Sequence, residues 1–272
     1  MKESAIGIMD SGIGGLSVVL AVRELFPSCP IVYFADPLHF PYGEKEEREL
    51  FAIVQPIVDF LVYGVGVQIL VVACGTVSSL LLPRLQRGYS VPLVGIVEPA
   101  CREALVHVPE GAIGVLATRA TVRAGSFRRV IERLRPGTPV IEEAWPEFIE
   151  AVEKGTCNTL AWKVWVRKRL ERLHEQGVRG IIMGCTHFAF ISDFFEELSR
   201  DLFPVINPAA SCAREVAQIL PRAELCASSS LTVFVRGNQE HFIDAVQNFR
   251  FPLPMEVHSF SDVRGWVAYG LP

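Results

Sequence analysis

Two short stretches of this 272-residue chain carry the side chains best suited to chemistry. The first, "LVVACGTVSS" (Leu70 to Ser79), ends an apolar run on Cys74 and passes into Gly75 and Thr76. The second, "IIMGCTHFAF" (Ile181 to Phe190), repeats the arrangement around Cys185, Thr186 and His187. A thiol at a strand exit and helix start meets free backbone N–H groups and the positive end of the helix dipole. Both favour the thiolate and should lower the thiol pKa below its usual ~8.5. Three chemistries use such residues. A Cys–His hydrolase would pair Cys185 with His187, which share a face if the segment is extended, and would leave Cys74 idle. A redox couple would use both thiols but requires them within bonding distance. A racemase would use both across a substrate: one thiolate removes a Cα proton and the opposite thiol supplies one to the other face. Two similar halves facing each other across a cleft suit this third scheme.

The other cysteines, Cys29, Cys101, Cys157, Cys212 and Cys226, read as small core residues. The count of seven is odd, the spacing wide, and no CxxC pair occurs. A disulfide framework and a structural zinc site are therefore not expected.

The elements that must position the thiols follow from hydrophobic pattern. Apolar, β-branched runs predict strands at Ala5–Met9, Pro30–Phe34, Gln68–Ala73, Leu93–Ile96, Ala112–Leu116, Val140–Glu143, Gly180–Met183, Val205–Ile206 and Leu231–Val235. Amphipathic stretches between them predict helices over Gly15–Leu25, Glu46–Val65, Ala124–Leu134, Leu160–Gln176 and Ala209–Leu220. The class is α/β, with mainly parallel sheets covered by helices on both faces. Strand ends at Asp10 and Cys74 are matched, at nearly equal distances along the chain, by strand ends at Thr118 and Cys185. That repetition predicts two pseudo-symmetric α/β domains, 1–97 with 209–272 and 98–208, and an active site in the cleft between them. Asp10, Ser11, Cys74, Thr118 and Cys185 all fall at strand ends, where ligands of open parallel sheets bind.

Three further motifs are weaker. "DSGIGGLS" after the first strand resembles a dinucleotide fingerprint, with Asp36 near the ribose-binding position. The last glycine of that fingerprint is Ser17, and Asp10 would repel a pyrophosphate, so the glycines read as a tight strand-to-helix turn. "HFPYGEK" (His39 to Lys45) reads as a loop whose backbone and Tyr42 could close over a substrate. "PEFIEAVEKG" (Pro146 to Gly155) carries three acids on a helix that should be mostly solvated, and composition alone does not single out Glu153.

Half the residues are apolar, 21% are charged and the formal net charge is −4. Lys and Arg are scattered, which argues against a nucleic-acid footprint. Asp10 interrupts the first apolar segment too early for a signal sequence, and the longest apolar region, near Phe60–Ala73, is too short and broken to span a bilayer. The expectation is a cytoplasmic protein that acts on a small molecule, with no nucleic-acid or membrane partner.

Taken together, "GIMDSGIGGLSV", "YFADPLHFPYGEK", "VVACGTVSS", "GIVEPACREA", "GVLATRATVRAGSF", "GCTHF" and "AREVAQIL" resemble the cofactor-independent glutamate racemases of the aspartate/glutamate racemase family. The resemblance covers nearly the whole chain. It implies that Cys74 and Cys185 are the two acid/base thiols, acting on D- and L-glutamate respectively. Asp10 would assist Cys74, and His187 with Glu153 would assist Cys185. Ser11, Pro41, Tyr42, Gly43, Gly75, Thr76, Thr118, Thr121 and Thr186 would surround the substrate. The implied role is supply of D-glutamate for peptidoglycan, with a homodimer among the family's assemblies. Departures exist. The family's usual Cys-Asn-Thr is Cys74-Gly75-Thr76, its tyrosine after Cys-Thr-His is Phe188, a usual glycine is Ala117, and an expected acid is Asn207. A lost Asn hydrogen bond would cost about 1–3 kcal/mol. On that basis Gly75→Asn should lower KM, and aspartate racemisation or ligand binding without turnover are the alternative outcomes.

Overall fold

The computed structural model describes residues 5–220 and 229–260. Among these described residues, ten parallel strands form two sheets. The first sheet contains β1 (Ile6–Asp10), β2 (Ile31–Ala35), β3 (Ile69–Val72), β4 (Leu93–Gly95), β9 (Leu231–Val235) and β10 (Glu256–Ser259), in the order β10-β9-β2-β1-β3-β4. The second contains β5 (Ala112–Ala117), β6 (Val140–Ala144), β7 (Val178–Met183) and β8 (Val205–Ile206), in the order β6-β5-β7-β8. The sequence pattern predicts nine of these strands. It misses β10, whose Glu256, Val257, His258 and Ser259 form a half-exposed edge without an apolar run.

The central strands of each sheet are covered on both faces and are apolar along their length rather than alternating, whereas the edge strands β6 and β10 carry charged or polar residues. In the first lobe, Ile6, Ile8 and Val71 pack beneath helices 16–25 and 208–219, while Met9, Leu70 and Val72 face helix 47–59. In the second lobe, Leu116, Ile181 and Met183 point to one core and Ile113, Val115 and Ile182 to the other. Burying each such side chain contributes about 1.5–3 kcal/mol. Each lobe thus has its own core on either side of its sheet.

The helix predicted over 46–65 is α-helical only from Glu47 to Asp59. Pro56, which has no N–H to donate, lies inside it, and the chain turns π-helical over Phe60–Val65 before Gly66 (φ 80°) ends it.

Register brings the chemistry to neighbouring strand ends. β1 pairs with β3 through Met9↔Val72, so Asp10 stands level with Ala73, one residue before Cys74. β5 pairs with β7 through Leu116↔Met183, which sets Ala117 beside Gly184 and Thr118 beside Cys185. The ladders continue past the strands, with Ala73 N–H donating to the Met9 carbonyl (3.0 Å) and Gly184 N–H to the Leu116 carbonyl (2.8 Å). Tyr33, fully buried on β2, donates its hydroxyl to the Gly12 carbonyl at 2.6 Å and so fixes the turn after β1. Tyr33→Phe leaves that carbonyl without its donor. Chemical denaturation should show a loss of about 1–3 kcal/mol, and an unchanged midpoint would refute this role.

Candidate active site

Cys74 is the N-cap of helix 75–80 and Cys185 the N-cap of helix 186–190, each only 5% exposed. The placement agrees with the sequence reading, but its consequence for Cys74 does not. Burial raises the Cys74 thiol well above its ordinary value, and the neighbouring Asp10 carboxylate raises it further. The N–H groups of Val77 and Thr76 pull in the opposite direction and are outweighed. In the closed cleft Cys74 therefore rests as a thiol. The dipole argument failed because it omitted desolvation, the larger effect.

Asp10 is fully buried and accepts hydrogen bonds from the Gly12 N–H (3.1 Å) and from the Thr186 hydroxyl of the other lobe (3.0 Å). Burial pushes its pKa up to about 6; the His187 charge and the two hydrogen bonds limit the rise. His187 lies between two partners. Its Nδ1 is 3.6 Å from the Cys185 sulfur and its Nε2 is 2.6 Å from Glu153 Oε2. Burial alone would push this imidazole down, but Cys185 and Glu153 together hold it well above its ordinary value. The contact with Cys185 does not come from an extended segment, as expected, because His187 lies in the first turn of a helix. Cys185 supplies the extended conformation (φ −124°, ψ 134°) that folds its sulfur back onto the ring.

Of the three acids on "PEFIEAVEKG", Glu147 and Glu150 have exposed side chains, whereas Glu153 is buried against His187. Composition could not separate them, but burial does. Glu153 also explains the glycine turn: a Cβ on Gly12 would lie 3.0 Å from both Glu153 carboxylate oxygens. One on Gly14 would lie 2.5 Å from the Thr186 hydroxyl oxygen and 2.7 Å from the His187 nitrogen.

The hydroxyls of Thr76, Thr118 and Thr121 meet across the lobes, with Thr76 to Thr118 at 3.0 Å and Thr118 to Thr121 at 2.9 Å. Ser11 is buried in the turn after β1. Pro41 and Gly43 line the adjoining cavity, and a Cβ on Gly43 would lie 2.4 Å from the Thr118 Cβ. The hydroxyl of Tyr42 points away to Asp36 (2.6 Å), which also binds His39 Nδ1 at 3.0 Å. Asp36 is therefore the anchor of this loop, a role the fingerprint comparison could not suggest. The cavity, of about 630 Å³, reaches Phe40, Pro41, Gly43, Thr118 and Glu153; neither thiol lines it. Arg119 crosses its rim to Glu44 (3.1 Å), and Arg123 reaches Glu46 (3.2 Å). Both pairs are exposed and contribute about 0–1 kcal/mol each.

The departing residues have structural work. Asn207 caps helix 208–219 by accepting from the Ala209 N–H (2.9 Å) and donates to the Ala189 carbonyl (3.3 Å). Phe188 is fully buried among Trp145, Phe148 and Phe195. Among the described residues, no group of three His, Cys, Asp or Glu could hold a metal ion.

The Asp/Glu/Hydantoin racemase family profile matches residues 16–216. The chain belongs to that family. It is 40% identical over 209 residues to a glutamate racemase of Limosilactobacillus fermentum, covering 77% of this chain and 78% of the relative. A glutamate racemase of Desulforudis audaxviator is 34% identical over 252 residues, covering 89% and 92%. Among solved structures, glutamate racemase isoform RacE1 from Bacillus anthracis superposes with a TM-score of 0.88 at 26% identity, covering 96% of this chain and 98% of that one. Membership places the paired thiols of this fold in a setting where racemisation is the shared chemistry.

Asp10 yields a prediction with a definite sign. Its folded pKa of about 6 exceeds the unfolded value of 3.8, so the native state holds this proton more tightly. Stability from this group is present at low pH and is lost as pH rises from about 4 to 6, a cost of roughly 3 kcal/mol above that range. Asp10→Asn cannot ionise. Urea unfolding should therefore show the variant gaining on the parent by roughly that amount between pH 4 and pH 7, and a pH-independent difference would contradict the assignment.

Proposed function

We propose that this chain interconverts L- and D-glutamate without a cofactor, using Cys74 and Cys185 on opposite faces of the substrate Cα. The observation that carries this reading is that each thiol has its own proton-handling neighbour. Cys74 feels the Asp10 carboxylate, and Cys185 lies 3.6 Å from a His187 ring that Glu153 holds on its far side. A hydrolase needs only one such arrangement, whereas a two-base racemase needs both. The relatives' names support glutamate as substrate, as does an Escherichia coli glutamate racemase, 26% identical, solved with L-glutamate and an activator.

In this mechanism one thiolate removes the Cα proton while the opposite thiol protonates the planar carbanion; the reverse reaction exchanges the roles. Asp10 as carboxylate accepts the proton that Cys74 must give up, and the His187 imidazolium, held by Glu153, exchanges a proton with Cys185. Thr76, Thr118, Thr121, Thr186, Ser11 and the Pro41–Gly43 backbone bind the substrate's polar groups. The cleft lies between units 1–97 with 209–272 and 98–208. D-glutamate for peptidoglycan is the product's use, which suits a cytoplasmic enzyme and allows a homodimer. No helix among the described residues is long and apolar enough to cross a membrane. Aspartate is the second substrate to test, because position 75 presents no side chain to a longer acid.

The test is proton exchange. With L-glutamate in D2O, the parent protein should deuterate Cα and lose optical rotation together. Cys74→Ser and Cys185→Ser should each slow racemisation by at least ~10²-fold. Absence of exchange with both glutamate and aspartate would sink the racemase reading in favour of a binding protein.

A pH profile supplies a separate check. Racemisation of D-glutamate should fall as pH drops through about 6, where Asp10 takes up its proton. Asp10→Asn should be slow at every pH and lack that inflection. A parent rate that stays flat from pH 8 to pH 5 would remove Asp10 from the proton path.

A further inference from the structure

We infer that Gly75 is a positioning residue: its backbone, seated against the Gly184 carbonyl, is the spacer that sets how closely Cys74 and Cys185 face each other. The inference rests on the two-thiol reading above and adds a determinant that lies on neither sulfur.

A Cβ placed on Gly75 would lie 2.1 Å from the Gly184 carbonyl oxygen and 3.2 Å from its carbon. The obstacle is backbone, which cannot rotate aside as a side chain would. Gly184 cannot simply retreat either. Its N–H is bonded to the Leu116 carbonyl at 2.8 Å, and atoms of Leu116, Phe127 and Val115 all lie 3.1 Å from its own Cβ position. Gly75 has no left-handed backbone that would call for glycine; it is the first residue of an ordinary helix. Glycine there costs about 1 kcal/mol of helix propensity relative to alanine. What it provides in return is close approach.

The position of this contact gives it a function. Gly75 directly follows Cys74 and Gly184 directly precedes Cys185, so the point where the lobes touch is one residue from each thiol. Both sulfurs are 5% exposed and absent from the lining of the 630 Å³ cavity. An amino-acid substrate reaches them only when the lobes part, and the contact must then be remade in each turnover. Closure also brings Gly43 against Thr118 and Gly14 against Thr186 and His187, so the first lobe meets the second through backbone at several points. Relieving a 2.1 Å approach to ordinary van der Waals distance would separate the lobes at the thiols by about 1 Å. A misplacement of that size costs on the order of 10²-fold in rate.

The structure therefore reverses the expectation that an asparagine at position 75 would improve binding. The space its side chain would need is occupied by the Gly184 carbonyl.

Gly75→Ala adds a Cβ and no polar group, which makes it the main test; Gly75→Asn adds the amide. Gly88→Ala is the control, since a Cβ there meets nothing within 4 Å. Gly75→Ala and Gly75→Asn should lower kcat by about 100-fold in both directions, with KM changing less than about tenfold. Alkylation of Cys74 and Cys185 by iodoacetamide, located by mass spectrometry, should accelerate several-fold in both. Gly88→Ala should match the parent in every measurement. Alkylation reports closure without turnover, so an inactive parent whose Gly75→Ala variant still exposes its thiols would sink the racemase reading and leave the spacer standing. Parent-like alkylation in Gly75→Ala, or a Gly75→Asn protein with lower KM and undiminished kcat, overturns the spacer. Should Gly75→Ala fail to fold, Gly43→Ala forces the lobes apart from the Thr118 side; unchanged alkylation there overturns it equally.

Discussion

The buried hydrogen bond from the Thr186 hydroxyl to Asp10 joins the end of β1 to the start of the helix that carries His187, and much of the cleft depends on it. A carboxylate without water is costly unless other groups replace the lost hydration. Here the replacements come from both sides: the Gly12 N–H from the first lobe, and the Thr186 hydroxyl and His187 charge from the second. Part of the desolvation also comes from the second lobe, so closure and the proton affinity of Asp10 are linked. Parting of the lobes would return water to the carboxylate and lower its pKa towards the ordinary range. The closed cleft thus raises the basicity of Asp10 towards neutrality, which is what the proposed mechanism asks of it.

The glycines around β1 follow from the same constraint. A turn that needed glycine only for backbone freedom would show positive φ, and Gly12, Gly14 and Gly15 do not. They are small because other groups occupy the space a side chain would take. Glu153 comes against Gly12, Thr186 and His187 against Gly14, and Tyr33 with the Asp10 Cβ against Gly15. The resemblance of "DSGIGGLS" to a phosphate-binding loop therefore has a physical basis. Both arrangements need backbone open to close approach, in one case by a ligand and in the other by the partner lobe.

The pattern of apolar runs was enough to locate β1–β9, because strands buried on both faces have no alternation to obscure them. β10 was hidden because an exposed edge strand carries polar residues. The thiols were legible from their place at strand exits, and His187 from its spacing. Glu153 was not, since it and its two acidic companions on the same segment, Glu147 and Glu150, look alike until the tertiary fold buries Glu153. Tyr33 and Asp36 were less legible still. Each acts through a hydroxyl contact, with Gly12 or from Tyr42, that depends on where separate segments meet. The Cys74 titration was misjudged because sequence shows a helix start but not the depth of the cleft around it.

The two sides of the cleft are chemically unequal, which bears on how a nearly symmetric reaction is run. Cys74 faces a lone carboxylate that changes charge near pH 6, whereas the pair of groups behind Cys185 keeps its imidazolium well above that pH. In the proposed mechanism a proton passing from Cys74 to Asp10 would neutralise the carboxylate and remove the negative charge that adds to burial in raising the thiol pKa. On the other side, a proton leaving His187 leaves Glu153 buried without a cationic partner, which opposes the transfer. Cys74 is thus not activated by a simple lowering of its pKa, and in the proposed mechanism neither thiol acts alone. Each is coupled to a neighbour whose own charge state responds, so proton affinity can move between the two faces while the buried charge of the cleft changes little.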